Sequence, residues 1–167
     1  ADGRFTEAQR EVYQVVLKAQ LASIDCTRPG RTVDEVHQAS VQTLTEGMVE
    51  IGLLEGEVDE LIASEAFKRY FMHGTGHWLG MDVHDVGDYK AAGASRTLEA
   101  GMVMTVEPGL YIAEDDEEAP ERFRGIGIRI EDDVVVTDSA PLVLTDACPK
   151  TVEAIEATMA ESPRALW

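Results

Sequence analysis

Apolar and polar residues in the first half of the chain recur at the spacing of helices. Val12, Val15, Val16 and Ala19 share one face behind Thr6 and Gln9, a pair that fits a capping box. Arg28-Pro29-Gly30-Arg31 ends that element. Thr32 and Glu35 form a second such pair and open a predicted helix. Its buried stripe is Val33, Val36, Ser40, Val41, Leu44, Met48 and Ile51. His37 lies on the same stripe and reads as a core histidine with its polar atoms satisfied. A shorter helix is predicted after Gly56, using Val58, Leu61, Ile62 and Phe67. Beyond Phe71 the texture changes to glycine-rich turns and alternation of period two. Met102 to Ile112 reads as a strand interrupted by Pro108-Gly109, so Glu107 sits where the strand stops. Gly125 to Thr137 reads as two strands joined tightly at Asp132-Asp133. Ile126, Ile128 and Ile130 face the core there, with Arg129 and Glu131 on the opposite side. Thr151 to Ala160 reads as a closing helix with Val152, Ile155 and Met159 in register. No internal repeat or long linker divides the chain, which implies one domain over residues 1–167.

Composition changes this picture in two ways. A hydrophobic content of 44% is enough for a packed core. Fourteen basic residues against thirty-two acidic ones give a net charge of −18, which repels nucleic acid and anionic membrane surfaces. Such acidity is first a property of the solvated surface, and it also suits a cationic ligand such as a free peptide amino group. The run Glu114 to Glu118 reads as a solvated loop. No apolar stretch approaches the roughly twenty residues of a membrane span, and the N-terminus lacks a signal-peptide layout. Cys26 and Cys148 stand in unrelated contexts, which favours a reduced, cytoplasmic protein.

The candidate chemistry lies in the second half. Residues 73–84 hold three of the four histidines. His77, set among glycines that let backbone approach closely, is the first candidate for a metal ligand. His73 would join it only in a helix, which Gly74 and Gly76 oppose, so contact with substrate is the better reading. For His84, placed at an alternating offset after Leu79, Met81 and Val83, spacing leaves metal, substrate and Asp85 all open. Glu107 and Glu131 occupy strand ends, as a metal-binding carboxylate pair needs. The alternative for Glu131 is an ion pair with Arg129.

Three stretches carry a family resemblance. His73-Gly-Thr-Gly-His77-Trp-Leu-Gly-Met-Asp-Val-His84-Asp-Val-Gly87 resembles the signature of the aminopeptidase P (Xaa-Pro aminopeptidase) family. So do Met102-Val-Met-Thr-Val-Glu107-Pro-Gly-Leu-Tyr111 and Gly125-Ile-Gly-Ile-Arg129-Ile-Glu131-Asp-Asp133. The resemblance covers essentially the whole chain, and Trp78 after His77 favours aminopeptidase P over prolidase. It implies an α+β pita-bread fold, with a curved antiparallel sheet flanked by helices. It also implies a site for two divalent ions, manganese first, with zinc or cobalt as alternatives. In that scheme His77, Glu107 and Glu131 are metal ligands, and Arg129 stands behind them. His73 and His84 steady the substrate and the tetrahedral intermediate. A metal-bound hydroxide attacks the bond between an N-terminal residue and proline, Glu107 relays its proton, and His84 supports the oxyanion.

The family's two aspartate ligands have no counterpart here, because Asp2 lacks the motif that surrounds them. The chain therefore reads as the carboxyl-terminal part of the catalytic domain. It lacks the family's amino-terminal domain and the strand pair with the aspartates, and holds three of five ligands. On that reading it is weakly active or inactive alone, binds a second ion poorly, and exposes apolar surface that favours homo-oligomers. Prolidase, which cleaves dipeptides alone, is the rival within the class. A pita-bread module that only binds proteins or peptides is the rival outside it, disfavoured by the three ligands that remain. A metal-free, creatinase-like hydrolase is disfavoured for the same reason.

Overall fold

In a computed structural model, which describes residues 3–161, both capping boxes form. Helix α1 (Glu7–Cys26) starts where the Thr6 hydroxyl accepts the Gln9 N–H and the Gln9 side chain accepts the Thr6 N–H. Helix α2 (Val33–Glu50) begins the same way at Thr32 and Glu35. Each reciprocal pair satisfies two of the donors that a helix start leaves open. The helices pack face to face at Gly47, where a Cβ would come 2.4 Å from a Val15 methyl. Val12, Val16, Leu44, Met48, Phe71 and Leu110 belong to the main core cluster between these helices and the strands.

The third helix is shorter than the pattern predicts. Helix α3 spans Val58–Ala63, and Phe67 belongs to a separate 3-10 turn, Ala66–Arg69. The break is Glu65, whose φ of 58° is left-handed and cannot continue a helix. Helix α4 (Val152–Ala160) is capped by Thr151 and buries Val152. Ile155 packs at the edge of the core cluster and is only half-buried, and Met159 is 55% exposed, because both border an open groove beside Phe5 and Ile126.

Seven short strands follow α3. They are β1 (Lys90–Ala91), β2 (Ala94–Ser95), β3 (Val103–Val106), β4 (Gly109–Tyr111), β5 (Gly127–Arg129), β6 (Asp132–Val135) and β7 (Leu142–Val143). Strand β4 pairs antiparallel with β5, and β3 with β6, which also carries β7. The pairs Val106–Asp132 and Gly109–Arg129 keep one register, so β3–β4 and β5–β6 form a single ladder interrupted in its middle. The expected tight turn at Asp132-Asp133 is therefore absent. Asp132 starts β6, fully buried, where it accepts from the Gln20 amide and faces Lys150 Nζ at 2.9 Å. Two adjacent aspartates resemble a turn, but here one of them anchors a strand to α1.

The acidic loop differs from expectation as well. Asp116 is nearly buried: it binds the Arg69 guanidinium and accepts from the backbone N–H of Glu118 and Ala119. The paired guanidinium holds its carboxyl below the usual range.

Candidate metal centre

The site grows from three extended segments lying side by side. Residues 75–79 run along β3: Glu107 N–H donates to Thr75 O at 2.6 Å, Thr105 N–H to His77 O at 2.9 Å, and Leu79 N–H to Val103 O at 3.1 Å. Gly76 permits this approach, since a Cβ there would lie 1.9 Å from the Thr105 carbonyl oxygen. On its other side β3 pairs with β6, and the shared register sets Glu107 opposite Glu131 in the gap between the two halves of the ladder.

His77, Glu107 and Glu131 each offer one ligand atom, and these atoms lie within 4.8 Å of one another. His77 Nε2 is 3.3 Å from Glu107 Oε1. His77 Nδ1 lies 3.0 Å from the Trp78 carbonyl, an oxygen that only accepts, so Nδ1 carries the proton. That leaves Nε2 as the nitrogen facing the carboxylate oxygen, free to act as a ligand. Two carboxylates directly opposite each other on a ladder also repel. Burial, then the charge of Glu107, push the Glu131 carboxyl above its usual range, although the residue as a whole is exposed. One imidazole nitrogen and two carboxylates converging with excess negative charge are a donor set that fits a divalent cation.

A second layer of bonds holds this set. Arg129 Nη1 donates to Glu107 Oε2 at 3.0 Å, and its Nε donates to the Tyr111 hydroxyl at 2.7 Å. The expected Arg129–Glu131 pair does not form; strand alternation puts both on one face, but the guanidinium reaches across to the opposite strand. Thr105 Oγ1 donates to Glu107 Oε1 at 3.2 Å and accepts from the His77 N–H at 3.0 Å. His73 stands outside the ligand group. Its Nδ1 meets the Gly74 carbonyl at 2.7 Å, and its Nε2 meets the Tyr111 hydroxyl at 2.9 Å. His84 is exposed, with its ring 4.3 Å from that of His77. Residues 80–84 form bends rather than the strand that alternation suggests, leaving Met81 and Val83 exposed. Asp85 does not hold His84; its carboxylate accepts from the N–H groups of Met81 and Val86. His37 is half-buried, with Nδ1 2.9 Å from Thr75 Oγ1.

Tyr111, which bridges His73 and Arg129, was not singled out by the motifs. Its signal is the period of two: Glu107, Gly109 and Tyr111 share one strand face.

Fold and donor set together define an α+β chain with a candidate divalent-cation site. The chain belongs to metallopeptidase family M24, whose model matches residues 1–138. It is 53% identical over 158 residues to the Xaa-Pro aminopeptidase of Escherichia coli, covering 95% of this chain and 35% of that protein. It is 43% identical over 155 residues to human Xaa-Pro aminopeptidase 3, covering 93% of this chain and 30% of the relative. Aminopeptidase PepP of Pseudomonas aeruginosa superposes with a TM-score of 0.93 at 57% identity, over 95% of this chain and 36% of that one. Aminopeptidase P from E. coli with the inhibitor Pro-Leu superposes at 0.89, with 54% identity over 94% and 35% of the two chains. The fold is thus the pita-bread fold, and the chain spans about a third of the length of the relatives it matches.

Proposed function

We propose that this chain carries part of the active site of a metal-dependent exopeptidase that cleaves the bond between an N-terminal residue and proline. The observation that supports this most is the meeting of His77, Glu107 and Glu131 within 4.8 Å. These three side chains would hold the divalent ion, and two carboxylates among three donors favour manganese. When bound, such an ion supplies Lewis acidity and makes water nucleophilic near neutral pH.

The chain's own groups divide the remaining work. Arg129 holds Glu107 Oε2, which leaves Oε1 toward His77 as the atom that takes a proton and returns it to the leaving nitrogen. His84, on the exposed loop beside His77, is placed to donate to a developing oxyanion. His73, fixed by Tyr111, steadies the substrate. The inhibitor Pro-Leu of E. coli aminopeptidase P begins with proline, as does the fragment released by cleavage before proline, which supports a peptide substrate with proline at its second position.

Among the described residues, this is the one group of at least three suitable side chains. One ion per chain is therefore expected, with slow turnover by the chain alone. The test is hydrolysis of Xaa-Pro peptides with added manganese. Slow, metal-dependent release of the first residue is expected, and it should vanish in His77→Ala. Equal turnover in chelator would overturn the reading, and cleavage of dipeptides alone would mark a prolidase instead. No helix among the described residues is long and apolar enough to cross a membrane. Cys26 and Cys148 are both free thiols, which supports the cytoplasm as compartment.

A further inference from the structure

Next to the metal centre, on the far side of His77, lies a polar group without a partner. Trp78 is 8% exposed, and its Nε1 is buried with no hydrogen-bond acceptor. A buried indole N–H is normally paired, so an orphan calls for a cause. Trp78 borders a cavity of about 180 Å³, with Val86, Gly87, Arg96, Met102 and Val103 as its other walls. Gly87 lies against the Nε1 edge of the indole: a Cβ there would come 2.5 Å from Cδ1 and 2.9 Å from Nε1. Only a glycine leaves that edge open toward the cavity.

Arg96 is the second observation. Its guanidinium lies 5.9 Å from the centre of the Trp78 ring, and it makes no ion pair among the described residues. The chain has thirty-two acidic residues and fourteen basic ones, yet none of the described carboxylates pairs with Arg96. Arg10, Arg28, Arg31, Arg69, Arg122 and Arg129 meet carboxylates, and Arg124, without a carboxylate, donates to the Ala119 and Glu117 carbonyls. Trp Nε1 and the guanidinium offer donors and no acceptor, so the partner they suit has acceptors and negative charge. Val86, Met102 and Val103 add an apolar wall, which fits a short hydrocarbon tail. Phosphate and sulfate lack that tail.

We propose that this cavity is a binding site for a small carboxylate with a short apolar side chain, its oxygens shared between the Trp78 indole N–H and the Arg96 guanidinium. The loop gives the site a route to the metal centre. His84 lies against His77, and Gly87, three residues on, lies against Trp78. Val86 and Gly87 are exposed, so this turn can shift outward as the carboxylate enters and carry His84 with it. The inference does not depend on the peptidase reading, because its readout needs neither metal nor turnover.

Trp78 and Trp167 are the two tryptophans of the chain, so Trp167→Phe leaves Trp78 as the single indole. In that background the indole N–H resonance is followed while isobutyrate is added at constant pH and ionic strength. Isobutyramide and chloride serve as controls. A saturable downfield shift with isobutyrate alone is expected, weakened about tenfold or more in Arg96→Gln. Arg96→Lys, which keeps the charge but loses the planar fork, should fall between the two. A silent resonance, an equal response to isobutyramide or chloride, or an unchanged affinity in a folded Arg96→Gln would each overturn the proposal. A short peptide with a free carboxyl terminus and its amide identify the source. Displacement of isobutyrate by the acid form alone shows that a peptide end also enters, and displacement by neither restricts the site to free small acids.

Discussion

Glu131 bears the clearest electrostatic strain at the residue scale. Its carboxyl is raised by burial and by Glu107, so without metal the folded state holds its proton more tightly than the unfolded chain does. That contribution to stability is present below the unfolded carboxyl pKa of about 4.3 and is lost as pH rises through the higher folded value. In chelator, Glu131→Gln should therefore melt higher than the parent chain at neutral pH, with the gap closing near pH 4; thermal melts at both pH values check this. His37 runs the other way. Burial lowers its pKa, so the folded state holds it neutral, with its Nδ1 against Thr75. Its contribution is present above the unfolded value of about 6.5 and is lost as pH falls through the depressed folded value. His37→Gln should flatten the stability profile between about pH 7 and 5, and denaturant midpoints across that window would show it.

At the scale of elements, the helical half was the more legible. Both capping boxes were readable because each depends on residues three apart, and both form. Gly47 was not, since its meaning lies in Val15 on another helix. Gly47→Ala should cost about 1–3 kcal/mol by overpacking that contact, measurable by chemical denaturation. Thr32→Ala, which removes a cap without touching the core, should cost about 1 kcal/mol. The strands were legible in their alternation but not in their partners. Arg129 and Glu131 share a face as expected, yet Arg129 bonds Glu107 because the β4–β5 register sets it there. Asp132 looked like a turn because its burial depends on Gln20 and Lys150, both distant in sequence. The proposed ligands His77, Glu107 and Glu131 are legible through motif likeness and glycine context, and the fold brings the three together. Tyr111 was passed over because its role exists only once His73 and Arg129 approach it.

At the scale of the molecule, two properties act together. The net charge of −18 disfavours the compact state through self-repulsion, so added salt should raise the melting temperature. Leu21, Met72, Met81, Val83 and Val86 are exposed apolar side chains, and the chain spans about a third of its relatives' length. We expect concentration-dependent association that salt does not disrupt, since burial of apolar surface drives it. Light scattering at low and high salt distinguishes this from a monomer. The central claim remains that one imidazole and two carboxylates from three segments form a single cation site. Calorimetric titration of the metal-free chain with manganese tests it most directly. The account predicts about one ion bound per chain, with binding abolished in His77→Ala and in Glu131→Gln. Undiminished binding in either variant would contradict it.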